Sequence, residues 1–109
     1  MIDIIFNELK DEINELYDNY KGTEFDISEI VRDNALVFIK NLKIELLKEV
    51  DDIYPNQNGT LSFKFFNKTE LEIGINSMSY FIKRENDVLY MNDVSITQDN
   101  IEQFIINMK

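Results

Sequence analysis

The sequence predicts an α+β fold of the order ααββββα: two N-terminal helices, an antiparallel meander of three to four strands, and a short C-terminal helix. The spacing at which apolar residues recur changes along the chain, and this change indicates the order. Apolar residues recur every three or four positions up to about residue 50, as in amphipathic helices, and every second position after residue 59, as in half-buried strands. The chain of 109 residues contains one proline and three glycines. Because no flexible linker divides it, we expect a single domain over residues 1–109.

The first predicted helix covers about residues 2–20. Its apolar side chains follow helical spacing and would face the core. They are Ile2, Ile5, Phe6, Leu9, Ile13, Leu16, Tyr17 and Tyr20. Gly22 is suited to end this helix, since glycine readily adopts the left-handed conformation found after a helix C-terminus.

The second predicted helix covers about residues 27–50. The segment Asp26-Ile27-Ser28-Glu29 is typical of a capping box, with Asp26 as the cap. Apolar residues occur on more than one side of this helix, so we expect it to lie between the first helix and the sheet. Pro55 prevents its continuation. Asp51 and Asp52 would then lie at a helix C-terminus, where the macrodipole disfavours negative charge.

The predicted strands cover residues 61–66, 71–75, 78–83 and 88–91, separated by short breaks rich in turn formers. Thr97 is suited to cap the last helix, which carries Ile101, Phe104, Ile105 and Met108 at helical spacing. One alternating set of strand aromatics must form the core. That leaves Phe66 and Phe81 on the other face, where helix packing, self-association or a partner would cover them.

The composition favours binding over catalysis. The chain has a net charge of −10 and contains no histidine and no cysteine. It therefore lacks the commonest general base, the best metal ligands and a thiol nucleophile. No spacing identifies a pair of carboxylates, a lysine or a tyrosine as a catalytic group. We therefore expect a protein that is not an enzyme and has no cofactor.

Charge and hydropathy also restrict the surroundings of the protein. A negative field repels nucleic acid and anionic lipid, so we predict no direct nucleic-acid binding. No apolar run of 18 residues is present, and no basic segment precedes an apolar stretch at the N-terminus. We therefore predict neither a membrane span nor an export signal. The absence of cysteine fits a cytoplasmic protein.

Negative charge is concentrated near the N-terminus, where residues 1–33 hold ten acidic and three basic side chains. Five of the acids recur at three- and four-residue steps, on one face of the first helix. They are Glu8, Asp11, Glu12, Glu15 and Asp18. Two interpretations remain open: a solvated face that keeps the protein soluble, or a binding face for a basic partner. Mimicry of a phosphate backbone is the most specific form of the second interpretation.

The stretch from Asp18 to Glu29 has the length and end residues of an EF-hand calcium loop. Such a loop also needs oxygen donors at its third and fifth positions and glycine at its sixth. Here those positions hold Tyr20, Gly22 and Thr23. The chelate fails at all three positions, so no metal site is predicted.

Short motifs resemble those of a widespread group of small bacterial proteins of unestablished function. That group has a Trp-Asp-Gly-Tyr-like helix corner, a Pro-x-x-x-Gly turn, and strands of the types Gly-Thr-Ile-x-Leu-x-Trp and Leu-x-Ile-x-Ile. The matching segments here are Leu16-Tyr17-Asp18-Asn19-Tyr20, Pro55-Asn56-Gln57-Asn58-Gly59-Thr60, Leu61-Ser62-Phe63-Lys64-Phe65-Phe66 and Leu71-Glu72-Ile73-Gly74-Ile75. Tyrosine and phenylalanine replace the usual tryptophans. The resemblance implies an accessory or antitoxin-like protein rather than an enzyme.

Together these features predict a small protein that binds and neutralises a basic partner such as a toxin, nuclease or defence effector. The candidate partner-binding residues are Glu8, Asp11, Glu12, Glu15, Asp18, Phe66 and Phe81. Two alternatives remain. One is a protein that sequesters a small molecule or nucleotide in a pocket between sheet and helices, and the other is a structural subunit that forms a homodimer or larger homo-oligomer.

Overall fold

A computed structural model of the chain describes residues 2–108, with side chains from residue 4 onward. It contains four helices and five strands in these residues. They are α1 (Ile2–Asn19), α2 (Glu29–Lys40), α3 (Ile44–Leu47), β1 (Val50–Pro55), β2 (Leu61–Phe65), β3 (Glu70–Ile73), β4 (Ser77–Lys83), β5 (Val88–Ser95) and α4 (Gln98–Asn107). The predicted α+β class is confirmed, with five strands rather than three to four. The predicted inward side chain of Ile2 lies outside the described side chains.

The five strands form one antiparallel sheet in the order β1-β2-β3-β4-β5, so each strand pairs with its neighbours in sequence. The predicted turn at residues 56–59 is present. Its carbonyl at Asn56 accepts from the Gly59 amide, and Gly59 has a φ of +83°, which glycine adopts without steric cost. The turn joins two strands, however, and does not follow a helix.

A single second helix from residue 27 to residue 50 was a wrong prediction. Helix α2 ends at Lys40, and the Asn41 side chain donates 2.8 Å to the Val37 carbonyl at that end. After the short α3, the chain enters the edge strand β1. Asp51 and Asp52 therefore lie in a strand, and the predicted conflict with a helix macrodipole does not arise.

The N-cap of α2 also differs from the prediction. Ser28, not Asp26, occupies the capping position, and its Oγ accepts from the Val31 amide at 3.2 Å. The Asp26 carboxylate instead accepts from the Gly22 amide at 3.0 Å, which closes the loop after α1. The cap of α4 is as predicted, since Thr97 accepts from the Asn100 amide at 3.2 Å.

One hydrophobic core joins the helices to a single face of the sheet. Helix α2 contacts α1 as well as β2 and β3, as predicted. Aromatic rings connect these layers: the Phe38 centroid lies 5.1 Å from that of Phe63, and the Phe104 centroid lies 4.8 Å from that of Tyr80. In the described part of the chain, no helix has the length and apolar character needed to cross a bilayer.

The opposite face of the sheet, here called the outer face, carries the residues that alternate with the core set. In β4, for example, Met78, Tyr80 and Ile82 are buried in the core, whereas Ser79 and Phe81 between them are only partly buried. Helices α1, α2 and α4 contribute their buried side chains to the core on the other side. Within residues 4–108 the outer face therefore has no helix over it.

Candidate functional site

The acidic residues predicted on the first helix form one ribbon on α1. Glu8, Asp11, Glu15 and Asp18 are exposed, and Glu12 is half-buried. Ile4 precedes Glu8 by one helical turn and is 60% exposed. The ribbon, defined as Ile4 and these five acids, thus combines negative charge with one apolar side chain at its N-terminal end.

The ribbon continues onto the sheet through Glu12. Burial raises the pKa of the Glu12 carboxyl, and the negative charges of Asp52 and Glu15 raise it further. Helix α1 contacts β1, the edge strand that carries Asp52. The fold therefore joins two groups of acids that are 40 residues apart in sequence, which the helical prediction for residues 27–50 could not anticipate.

Strand pairing arranges the outer face in two cross-strand rows. In the first row the neighbours, from β1 to β5, are Asp52, Lys64, Glu70, Phe81 and Tyr90. In the second row, from β1 to β4, they are Tyr54, Ser62, Glu72 and Ser79. Directly opposed residues on one face are about 4.5–5.5 Å apart at Cβ, so each row is a continuous strip of side chains.

The Tyr54 side chain extends over β2 and connects β1 to β3 on the outer face. Its hydroxyl donates a 2.6 Å hydrogen bond to Oε1 of Glu70 on β3. The hydrogen bond to this carboxylate raises the pKa of Tyr54, and burial and the negative charge of Glu70 act in the same direction. Ser62, which pairs with Tyr54 in the neighbouring strand, is 6% exposed. Its hydroxyl accepts a 2.7 Å hydrogen bond from the Asn56 side chain. The Glu70 side chain is therefore held in place.

A cavity of about 200 Å³ opens on the outer face beside this hydrogen bond. Two small serines, Ser62 and Ser79, leave space between larger neighbours. The remaining lining residues are Glu70, Leu71, Glu72, Tyr80, Phe81 and Asn92. The lining thus includes two carboxylates and two aromatic residues, of which Tyr80 is buried in the core and Phe81 is half-buried.

The two predicted aromatic residues occupy different places. Phe66 lies in the turn after β2 and is 59% exposed. Phe81 lies on the outer face and is half-buried, with its ring centroid 6.1 Å from that of Tyr90. Tyr90, which is 67% exposed, was not among the predicted site residues.

Few of the carboxylates are neutralised within the protein. Among the described residues, the ion pairs within 4.0 Å link Arg32 to Glu29 and Asp33, and Arg84 to Asp87. None involves the ribbon, Glu70 or Glu72. Among the side chains of residues 4–108, no three carboxylates lie close enough together to form a metal site. The arrangement thus presents dispersed negative charge, which suits an extended cationic surface better than a single ion.

A second cavity, of about 600 Å³, lies at one end of the sheet among three loops. Its polar side chains come from the α1–α2 loop, the β1–β2 turn and the β3–β4 turn. They are Lys21, Asp26, Ser28, Asn58, Thr60, Asn76 and Ser77. The Lys21 amine lies 3.6 Å from the centroid of the Tyr17 ring.

The chain was compared with protein-family models, with curated proteins and with solved structures, and no match was found. The fold and the outer face therefore define the class of the molecule on their own. It is an α+β protein with helices on one face of a five-stranded meander, and with an acidic surface that runs from α1 onto the open face of the sheet.

Sequence reasoning identified the ribbon but missed the sheet part of the surface. The signal that could have found it was the pair of apolar segments around the turn at residues 56–59. Val50, Ile53 and Tyr54 are good strand formers, and a turn containing Asn58-Gly59 between two such segments is typical of a β-hairpin. Recognising that hairpin would have placed Asp52 and Tyr54 beside β2.

Proposed function

We propose that this protein is a small, acidic, non-enzymatic cytoplasmic protein that binds a partner protein and neutralises it by occluding a basic surface. Antitoxins, immunity proteins and anti-defence inhibitors share this mode of action. The observation that carries the proposal is the position of Glu12. A partly buried carboxylate beside Asp52 and Glu15 lowers the stability of the fold, as its raised pKa indicates. Proteins commonly retain residues that lower stability where those residues serve function, and here the negative charge would serve binding.

The mechanism has two parts. The ribbon on α1 would steer a basic surface toward the protein, because complementary charge accelerates encounter. Apolar and aromatic side chains next to the acids would then supply contacts that exclude water. Ile4 is suited to this role within the ribbon, and Tyr90 is suited to it on the sheet. The resemblance of short motifs to antitoxin-like proteins supports the same class.

The proposal is tested by capturing the partner with two matched variants. One variant, the ribbon variant, reverses Glu8, Asp11, Glu12 and Glu15 to lysine. The control variant reverses four exposed glutamates outside α1 and the sheet, and so has the same net charge. They are Glu24, Glu45, Glu85 and Glu102. Circular dichroism would first verify that both variants are folded.

Tagged wild-type protein and both variants would be incubated with lysate of the source organism and washed at low and high salt. We expect mass spectrometry to find one basic protein on the wild type and the control variant. That protein should be lost from the ribbon variant and from the wild type at high salt, since salt screens exposed charges. Wild-type protein that retains no protein partner, or equal retention by the ribbon variant, would contradict the proposal.

The cavity at the end of the sheet favours a second candidate function, the sequestration of a small molecule. Its volume of about 600 Å³ lies within the range of about 300–1,000 Å³ typical of ligand sites. Lys21 is the single basic side chain among its lining residues, so neutral polar ligands fit it better than phosphates. Native mass spectrometry of the purified protein would reveal a stoichiometric ligand, and Asn76→Leu should release it if it occupies this cavity.

A further inference from the structure

We propose that the cavity on the outer face of the sheet binds an arginine side chain of the partner protein. This inference rests on the proposed function and specifies its contact: the guanidinium would lie between the carboxylates of Glu70 and Glu72 and the ring of Phe81. The occupant is thus an arginine presented by a protein, and the site is separate from the ribbon on α1.

The size of the cavity indicates a side chain rather than a free ligand. Its volume of about 200 Å³ is below the range of about 300–1,000 Å³ typical of small-molecule sites. The space arises because Ser62 and Ser79 are small residues that flank Glu72 in the second row. It is open to solvent on a face that no helix covers within the described residues, so a side chain from another protein can enter it.

The charge of the cavity selects a cation. Oε1 of Glu70 accepts from Tyr54, so the carboxylate is oriented before any partner arrives. Its Oε2 and both oxygens of Glu72 accept no hydrogen bond within the described residues. Lys64 lies beside Glu70 in the first row, yet it forms no ion pair within 4.0 Å in that part of the chain. The protein's own cations therefore leave these oxygens available.

The aromatic wall favours arginine over lysine. The planar guanidinium of arginine stacks on an aromatic face and can donate two parallel hydrogen bonds to one carboxylate. The ammonium of lysine is instead a compact and strongly hydrated charge. The ring of Phe81 is supported from the side of β5 by Tyr90, at a centroid distance of 6.1 Å. Phe81 pairs directly with Glu70 across β3 and β4, so its ring is next to the carboxylates that would hold the guanidinium.

The same protein already holds one of its own arginines in this way. The guanidinium carbon of Arg32 lies 4.5 Å from the centroid of the Tyr17 ring. Its terminal nitrogen also lies 3.0 Å from the Asp33 carboxylate and 3.6 Å from that of Glu29. An aromatic ring with two carboxylates is thus an arginine site within this fold, and the cavity offers the same groups without an internal occupant.

The test uses two blocked pentapeptides as probes, Arg-Gly-Arg-Gly-Arg and its lysine counterpart, titrated at low salt into the ¹⁵N-labelled full chain. We expect the arginine peptide to shift the backbone amide resonances around Glu72, Ser79 and Phe81 most strongly. The lysine peptide should bind the cavity more weakly. Equal cavity affinity for the two peptides, or arginine-induced shifts confined to α1, would overturn the assignment.

Matched variants separate the cavity from general charge attraction. We expect Phe81→Leu to weaken cavity binding about two- to fivefold through loss of the ring, and Glu72→Gln to weaken it on the order of tenfold through loss of a charged acceptor. Phe6→Leu and Glu102→Gln make the same chemical changes outside both the cavity and the ribbon, and they should leave cavity binding unaffected. Equal effects of the two pairs would overturn the inference.

These outcomes are distinct from those of the partner capture. If the peptide shifts only α1, or shifts neither surface, the arginine cavity is refuted. A partner that is nevertheless held by the wild type and lost from the ribbon variant would leave the proposed function intact. If no protein is captured, the proposed function fails, whatever the peptide does.

Discussion

The Tyr54 hydroxyl donates a 2.6 Å hydrogen bond to Oε1 of Glu70, across the intervening strand β2. This bond ties the edge strand β1 to the centre of the sheet on the face that the helices leave open. It also fixes one carboxylate of the arginine cavity. The acidic surface is therefore partly organised in advance, and less conformational freedom has to be lost when a partner binds.

Because of this hydrogen bond, we predict that Tyr54 loses its proton at a higher pH than an ordinary tyrosine. Folding raises the pKa of this phenol above its ordinary value of 10.0. The bond's contribution to stability is therefore fully present below that value and is lost as the pH rises through the folded pKa. In NMR titration of ¹³C-labelled tyrosine, we expect the Tyr54 resonance to titrate above the value for a tyrosine model peptide. A Tyr54 pKa at or below that of the model peptide would contradict the predicted role of Glu70.

Removal of the same hydroxyl should have a modest effect on stability. We expect Tyr54→Phe to lower the free energy of unfolding by about 1 kcal/mol, the typical net contribution of one hydrogen bond. Urea denaturation near neutral pH measures this change. Tyr90→Phe is a matched control, because the Tyr90 side chain is largely exposed and no internal hydrogen bond of its hydroxyl is found in the described residues. Equal losses for the two variants would indicate that the bond to Glu70 adds nothing.

Neutralising Glu12 should stabilise the protein. Folding raises the pKa of Glu12 above its ordinary value of 4.5, so the ionised carboxylate destabilises the fold once the pH exceeds that value. We expect Glu12→Gln to raise the free energy of unfolding near neutral pH by about 0.5 kcal/mol, the scale of one like-charge pair on a helix. The gain should vanish below the ordinary glutamate pKa.

Urea denaturation at both pH values tests this prediction. Glu24→Gln, in the exposed loop after α1, serves as a control that should change little at either pH. A loss of stability in Glu12→Gln near neutral pH would mean that the charge of Glu12 is favourable where it lies. The observation that carries the proposed function would then be lost.

The C-terminal helix should depend on one aromatic residue. Phe104 is fully buried, and its ring centroid lies within 5.7 Å of those of Phe38, Phe65 and Tyr80. We expect Phe104→Ala to cost about 3–5 kcal/mol in urea denaturation, through lost contacts and the cavity left behind. Ile106→Ala lies on the same helix at a side chain that is 60% exposed. The Ile106→Ala substitution should change the free energy of unfolding by less than about 0.5 kcal/mol. A loss as large as that of Phe104→Ala would contradict the packing of α4.

The parts of the fold that the sequence predicted well have a strong local signal. Helix α1 has a long amphipathic stripe, β3 and β4 alternate clearly between buried and partly buried residues, and Thr97 caps α4 as expected. The prediction overextended α2 because apolar residues continue to recur through residues 41–50, at Leu42, Ile44, Leu46, Leu47 and Val50. Such recurrence does not by itself distinguish a short helix and a strand from one longer helix. At the break, Asn41 is the C-cap of α2, and its side chain donates a hydrogen bond to the Val37 carbonyl.

The candidate surface was only partly predictable for a related reason. The ribbon lies on one helix, so its spacing in the sequence reveals it directly. The cavity depends on strand register, which places Glu72 between Ser62 and Ser79, residues distant from one another in the chain. Phe81 was predicted on the outer face because of its alternation. Its neighbour Tyr90 joins it only through the pairing of β4 with β5.

The most direct test of the central claim is the association rate between this protein and its captured partner, measured by stopped flow at several salt concentrations. We expect the wild type and the control variant to associate rapidly at low salt and to slow steeply as salt rises. The ribbon variant should associate at least about tenfold more slowly at low salt and depend little on salt. Equal rates and equal salt dependence for the wild type and the ribbon variant would contradict the claim that the acidic surface recognises a basic partner.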